Sequence, residues 1–342
     1  MLTGPGDRLR LAVVGCGRVF ERFHLPALLR APEFEVVTLV DPDPERLARA
    51  RERLPGAMPA RSLDDVVGIP ADAALVLTPP RAHVELTRRL LTSGQHVLVE
   101  KPMALDVADG QALLAEALRL GRRISVGFTR RFRAPYRALH ARLRAEPLPS
   151  VSDIVFDLAF PAGAWRSHGG FLGDDDEGGG VLDDVLSHQI DLLRWLFGHE
   201  PRRVLVSAGQ SGAGTAEIEF SSGVLVRCTS AHAQYVEVLQ LSLADGRILI
   251  ASGTVLRETR GGTVSSRRLR ASFHDRTALA LGRFSRAPGV TRDSFLHQLR
   301  DFASAIRGGP SAGAGGEDGL AAIATVQACR ESLRSGRWCA VG

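Results

Sequence analysis

Arg10-Leu11-Ala12-Val13-Val14-Gly15-Cys16-Gly17-Arg18-Val19-Phe20 is the stretch on which the fold turns. Arg10 to Val14 is a short apolar run of strand character, and Gly-x-Gly follows it without a gap. Where a strand feeds a helix through such a loop, the first glycine permits the tight turn and the second lets main chain approach a pyrophosphate. A third glycine would let the helix close on the strand. Phe20 stands at that position, so the helix is expected to pack differently there. Alone the loop is weak evidence, and its surroundings decide.

Those surroundings alternate between strand and helix. A helical stretch runs to about Arg30, Phe34 to Val40 (FEVVTLV) reads as a second strand, and Asp41 closes it. Asp41 lies 24 residues after Gly17, close to the spacing of the acid that holds the adenosine ribose hydroxyls in dinucleotide-binding units. A carboxylate there would repel a 2′-phosphate, so NAD is expected in preference to NADP, although Arg46 stands where it could reach a phosphate. The competing reading makes Asp41-Pro42-Asp43-Pro44 a cap for the helix at 45–53. Further on come a helical segment at Leu63–Val67, a strand Ala73–Leu77 ending at Thr78-Pro79-Pro80, and a helix at 82–93. The run His96-Val97-Leu98-Val99-Glu100 reads as a buried strand, followed by a helix at 106–120 and a strand in Arg123–Phe128. This grammar predicts a parallel sheet that ends near residue 128.

Lys101 follows the fourth of these strands. Lysine and arginine together number 43, and Lys101 is the only lysine. Arginine is effectively never deprotonated, whereas an ammonium on a flexible stem can shift its pKa and exchange protons. The carboxyl end of a strand is also where open α/β sheets bind ligands. A site lysine is expected, against the plainer reading of a lysine kept by chance.

From about residue 150 the pattern changes to short alternating strands at Val151–Phe160, Val204–Gly209, Thr215–Phe220, Val224–Ala231, Val236–Ala244 and Arg247–Ala251. Ser222-Gly223 and Asp245-Gly246 are hairpin signals, and Gly253 to Arg270 has room for more strands. The expected domains are 1–128 and 129–342, the second carrying a large, mostly antiparallel sheet. Helices at 292–307 and 318–335 end the chain and are placed to pack back on the first domain. Between them the glycine-rich stretch 308–319 reads as a mobile connector.

One helix, Leu182–Phe197, interrupts the second half. It places Asp184, His188 and Asp191 at i, i+4 and i+7 on one face, beside an apolar face of Val185, Leu192 and Leu196. His188 is the side chain most readily poised for proton transfer near neutral pH. Asp184 could orient it or bind a substrate hydroxyl, and Asp191 reads as structural. Upstream, Trp165 and Arg166 either face substrate or pack a loop. The acidic run Asp174-Asp175-Asp176-Glu177 is either a solvated loop or, if it faces a ligand, a feature that repels phosphorylated sugars and attracts cationic ones.

Composition closes off other classes. A net charge of +5 comes from arginines scattered among acids, so nucleic-acid binding is not expected. No apolar run approaches the roughly 20 residues needed to span a bilayer, and the first residues lack an apolar signal region. Cys16, Cys228, Cys329 and Cys339 have no metal-type spacing, so no metal is expected and a reduced, cytoplasmic protein is.

GCGRVFERFHLPAL, VLVEKP, VGFTRRF and GGGVLDDVLSHQIDLLRWLFG, in that order, together resemble the Gfo/Idh/MocA oxidoreductase family, as do DFASAIRGG and ACRESLRSGRW near the end. The resemblance implies an N-terminal α/β Rossmann domain and an α+β C-terminal domain with an open-faced antiparallel sheet. It implies hydride transfer between NAD, less readily NADP, and a secondary alcohol or ketone of a sugar or cyclitol. The family's lysine, aspartate and histidine fall on Lys101, Asp184 and His188. Cofactor is then expected along Gly15, Gly17, Arg18, Val19, Phe20, Asp41, Arg46, Thr78, Pro79, His83, Glu100 and Lys101. Substrate is expected at Lys101, Arg131, Trp165, Arg166, Asp184 and His188. Departures from the family pattern are Phe20, Leu186 in place of a glycine, and Thr129 where Asn is frequent. A homodimer or homotetramer is expected, and an amino sugar or aminoglycoside intermediate is the substrate that the acidic run favours. An NAD-using glycosidase and a cofactor-binding regulator without turnover stay open at this point.

Overall fold

A computed structural model describes residues 8–66, 69–145, 150–160, 180–208, 213–268 and 292–342. The chain divides into two compact units, Met1–Thr129 with Ser294–Leu320 and Arg130–Asp293 with Ala321–Gly342.

The first unit runs β1 (Leu9–Val14), α1 (Leu25–Leu28), β2 (Phe34–Val40), α2 (Pro44–Arg53), β3 (Met58–Ala60), β4 (Ala73–Val76), α3 (His83–Thr92), β5 (His96–Val99), α4 (Val107–Leu120) and β6 (Ile124–Val126). The six strands pair in parallel in the order β3-β2-β1-β4-β5-β6. Strands buried on both faces need apolar runs, and every residue of β4 and β5 is buried. The order reverses at β1, so the crevice beyond the carboxyl ends of β1 and β4 is the topological switch point. Gly15 lies there with φ +100°; a Cβ on it would come within 2.8 Å of the Leu77 carbonyl group. No other residue type fits that approach. Helix boundaries follow their caps: Asp43 accepts from the Glu45 and Arg46 amides to start α2, and Asp106 accepts from Asp109 to start α4. The segment at Leu63–Val66 is a 3₁₀ turn.

The second unit runs α5 (Ala134–Ala145), β7 (Val151–Ala159), α6 (Ser187–Phe197), β8 (Pro201–Ala208), β9 (Ala213–Phe220), β10 (Leu225–Ala231), β11 (Val236–Leu243), β12 (Ile248–Ser252), β13 (Val255–Arg260) and β14 (Thr263–Arg268). Sequence reading assigns no element to α5, whose arginine-rich repeat hides its buried Pro135, Tyr136 and Leu139. The sheet order is β14-β13-β12-β11-β7-β10-β9-β8, with the short strand Cys339–Ala340 on the far edge. Only β7 and β10 pair in parallel; the other described neighbours are antiparallel. Gly223 and Gly246 take φ of 82° and 79° in the two expected hairpins. Burial alternates along the strands, as in Ala216, Ile218 and Phe220, so one face forms a core with α5 and α6 and the other stays more open.

The chain ends with α7 (Arg292–Ile306) and α8 (Gly316–Ser335). In the first unit Phe295 stacks on Phe23 at 4.9 Å, and Phe302 lies 6.3 Å from Phe34. The stretch expected to be a mobile connector is built into this unit. Ala314–Gly315 pairs antiparallel with β6, and a Cβ on Gly316 or Gly319 would collide with Leu114 or Val126. Glycine serves close packing there rather than looseness. In the second unit the Ser332 hydroxyl of α8 accepts from the Val206 amide at 2.9 Å.

Candidate active site

In the first unit, the glycine loop is tied to its neighbours through main chain. The Gly15 amide donates to the Val40 carbonyl at 2.8 Å, and the Cys16 amide donates to Asp41 Oδ2 at 2.7 Å. Asp41 Oδ1 accepts from the Asp43 amide at 2.9 Å. Asp41 is therefore held at the loop, and capping α2 falls to Asp43. Arg46 Nη1 lies 3.9 Å from Asp41 and its Nε 3.2 Å from Asp43. Phe20 is fully buried at the start of a π-helix, Phe20–His24, which runs into α1. That extra-wide turn is how the chain accommodates a ring where the glycine pattern asks for a small residue. Burial first, then the Asp41 carboxylate, pushes the Cys16 thiol up to about 12, so it stays protonated and inert.

Around the end of β5, Glu100 Oε1 lies 3.0 Å from Nε2 of the fully buried His24, and Glu100 Oε2 accepts from the Lys101 amide at 3.3 Å. A Cβ on Gly127 would meet Glu100 at 2.7 Å, which explains the glycine in Val126-Gly127-Phe128. His83 is buried with Nδ1 2.7 Å from the Pro102 carbonyl oxygen and Nε2 2.8 Å from that of Thr78. Burial lowers its pKa against the pull of the two carbonyl oxygens, and a neutral ring donates to only one of them. His24 was not legible in the sequence: one histidine in an apolar helix carries no motif.

These residues fit a dinucleotide. Beside Gly17 a Cβ would find only Arg46 Nη1, at 3.8 Å, so main chain there is open to a ligand. Thr78 Oγ1 is buried with no hydrogen-bond partner among the described residues, a polar atom awaiting one. Pro79 is exposed beside it, while Arg18 and Val19 lead from Gly17 into the π-helix.

In the second unit, a π-helix at Leu182–Leu186 precedes α6 and carries Asp184 in its middle; His188 is the second residue of α6. Such insertions recur at functional sites. Both side chains belong to residues only 7% exposed. Gln189 fixes the helix to the sheet: its Nε2 donates to the Phe156 carbonyl at 2.6 Å and to Thr229 at 3.2 Å, and its Oε1 accepts from Ser230. Asp184 Oδ2 lies 3.3 Å from His232 Nε2, and Asp183 pairs with Arg330. Arg131, expected at the substrate, is buried with Nε donating to both oxygens of Asp191 at 3.1 and 3.0 Å. Nearby Glu237 is buried among Arg130, Arg133, Tyr136 and Tyr235. Gln189, His232 and Glu237 escaped sequence reasoning, because Phe156, Asp184 and Arg133, to which they bond, lie 33, 48 and 104 residues away. Trp165, Arg166 and the acidic run at 174–177 lie outside the described residues.

Residues 9–128 match the Gfo/Idh/MocA profile for an oxidoreductase family's NAD-binding Rossmann fold, and residues 162–341 match that family's C-terminal alpha/beta domain. The chain belongs to the Gfo/Idh/MocA oxidoreductase family. The glycine loop, β1 to β6 and Asp41 are thus the NAD(P)-binding domain of a family oxidoreductase. Myo-inositol dehydrogenase Hyg17 of Streptomyces leeuwenhoekii is 34% identical over 196 residues, 56% of this chain and 57% of that protein. Inositol 2-dehydrogenase of Pseudarthrobacter chlorophenolicus is 28% identical over 98% of this chain and 96% of its own. Among solved structures, aldose-aldose oxidoreductase from Caulobacter crescentus, complexed with glycerol, superposes with a TM-score of 0.82 at 24% identity. That match covers 98% of this chain and all of the other, and it bears on the fold.

Proposed function

We propose that this family member oxidises a secondary alcohol of a sugar or cyclitol, or reduces the corresponding ketone, with NAD in preference to NADP. The observation that carries the reading is the buried turn presenting Asp184 and His188 four residues apart in a domain of this oxidoreductase family. When bound, the nicotinamide supplies the hydride acceptor in one direction and the donor in the other. Gly15 and Gly17 leave room for the pyrophosphate, Asp41 receives the ribose hydroxyls, and Thr78 Oγ1 gains its missing partner.

His188 accepts the proton of the reacting hydroxyl, a contribution of roughly 10²–10⁴-fold for a positioned general base. Lys101, as ammonium, is suited to stabilise the negative charge that develops on an alcohol oxygen as hydride leaves. Asp184 orients His188 or a neighbouring hydroxyl. Asp41 supports the cofactor preference, because a carboxylate anchored to the loop at Cys16 and Asp43 repels a 2′-phosphate. An amino-substituted ring is the finer substrate reading, supported by the acidic run at 174–177.

A panel of inositols, hexoses and amino sugars with NAD and with NADP, read by nicotinamide absorbance, tests the proposal. Turnover of at least one sugar or cyclitol is expected, faster with NAD. Lys101→Arg should bind NAD normally and lose most of that turnover. A panel without turnover, or a Lys101→Arg variant as fast as wild type, contradicts it.

A further inference from the structure

His232 has no part in the chemistry above, yet the sheet delivers it to Asp184. It is the first residue beyond β10, as Phe160 is the first beyond β7. These are the parallel pair, with Ala231 opposite Ala159, and the Phe160 amide donates to the Ala231 carbonyl at 3.3 Å. Two parallel strands therefore release both side chains at one edge. There the His232 ring lies 6.1 Å from that of Phe160, which in turn carries the Arg130 guanidinium at 5.8 Å. With its body placed this way, His232 brings Nε2 to 3.3 Å from Asp184 Oδ2. The two side chains are 14% and 9% exposed, so little water competes for the bond.

A carboxylate swings about its last torsion unless something holds one oxygen. It has about four acceptor positions, so a single N–H donor can fix its plane and leave capacity for other donors. Hydrogen bonds to an ionised acceptor are among the stronger ones, and partial burial strengthens them further.

We propose that His232 is a positioning residue for the reaction, donating Nε2–H to Asp184 Oδ2 and so fixing the plane in which that carboxylate meets His188 or a substrate hydroxyl. The inference rests on the functional reading of Asp184 and His188. It adds a part that their helix cannot supply, because the donor comes from the end of β10, 48 residues away. Removing the donor takes away one of the contacts that set the plane of the carboxylate. The chemical step then slows, while cofactor affinity, which belongs to the glycine loop, stays as it was.

Three variants test this, with the fastest substrate of the sugar and cyclitol panel and NAD. His232→Ala should lower kcat about 10–100-fold, the size of effect that misplacing a site group can have. Its NAD affinity, measured by nicotinamide fluorescence, should stay within about twofold. His232→Gln presents an amide N–H near the same point and should restore most of the lost kcat. In urea unfolding, His232→Ala combined with Asp184→Ala should shift the midpoint by less than the sum of the two single shifts, since the bond between the two side chains is lost in each single variant.

An Ala variant with wild-type kcat, a Gln variant no better than Ala, or fully additive midpoints overturns the inference. If His232→Ala is wild-type-like while His188→Ala is inactive, the functional reading stands and only His232 loses its role. If His188→Ala turns over normally, the reading fails and this inference fails with it. Should His232→Ala not fold, the Gln variant and its kcat decide.

Discussion

Between Gly15 and Asp41 the contacts run through main chain: amides of Gly15, Cys16 and Asp43, and a carbonyl at Val40. Around Asp184 and Asp191 they run from side chain to side chain, across 48 residues to His232 and 60 to Arg131. The first region can be written as a short motif, since a turn fixes its geometry. The second exists only after a sheet has assembled, and its charged members are shielded from water. Substitutions should therefore act differently in the two places. In the second unit they should break the fold first; in the first unit they should separate stability from binding.

The largest effect on stability is expected at Asp191. Asp191→Asn takes a buried carboxylate away from the Arg131 guanidinium, which is only 4% exposed. Breaking a buried pair from one side costs about 3–5 kcal/mol, which urea unfolding would read directly. A loss under about 1 kcal/mol would put this region on the same footing as a surface pair.

Next come the two loop glycines. Gly15→Ala forces a side chain onto a φ of +100° and against the Leu77 carbonyl, so about 1–3 kcal/mol of stability should be lost. Gly17→Ala meets nothing closer than Arg46 at 3.8 Å. Its unfolding midpoint should barely move, while its NAD affinity falls, because the methyl occupies the pyrophosphate's approach. Equal stability losses at both positions would erase the distinction.

The smallest effect concerns pH. Burial, with the Arg122 and Arg123 guanidiniums next, lowers the pKa of His96 from 6.5 to about 4. Above pH 6.5 neither state binds this proton. As pH falls from 6.5 towards 4, the unfolded chain takes up a proton that the folded one refuses, so stability declines. His96→Asn keeps an acceptor for the Arg123 amide, which donates to Nδ1 at 3.1 Å, and removes the titration. Its urea midpoint should fall less across that window than that of wild type, and an identical slope would contradict the assignment.

The same contrast explains what could be read in advance. Strand alternation placed β1, β2, β4, β5 and β6 and the hairpins at Gly223 and Gly246, since period and turn chemistry are local properties, while the three-residue β3 was too short to show a period. The misfit of Phe20 with the glycine pattern foretold altered packing, and a π-helix is the form it takes. The stretch at 308–319 misled because glycine looks alike whether it loosens a chain or lets Leu114 and Val126 approach. Helix α5 was missed because three arginines mask the three residues it buries. Asp184 and His188 were legible as neighbours on one helix. Gln189, which pins that helix to Phe156 and Thr229, was not, as nothing local marks a glutamine for two distant carbonyls.

The central claim is that the His188 imidazole takes the proton from the reacting hydroxyl. Single-turnover formation of reduced nicotinamide by NAD-loaded wild type and His188→Ala, with the fastest panel substrate, tests it most directly. A rate lowered by roughly 10²–10⁴-fold at unchanged NAD affinity is the expected result. A His188→Ala rate within about threefold of wild type would contradict the account.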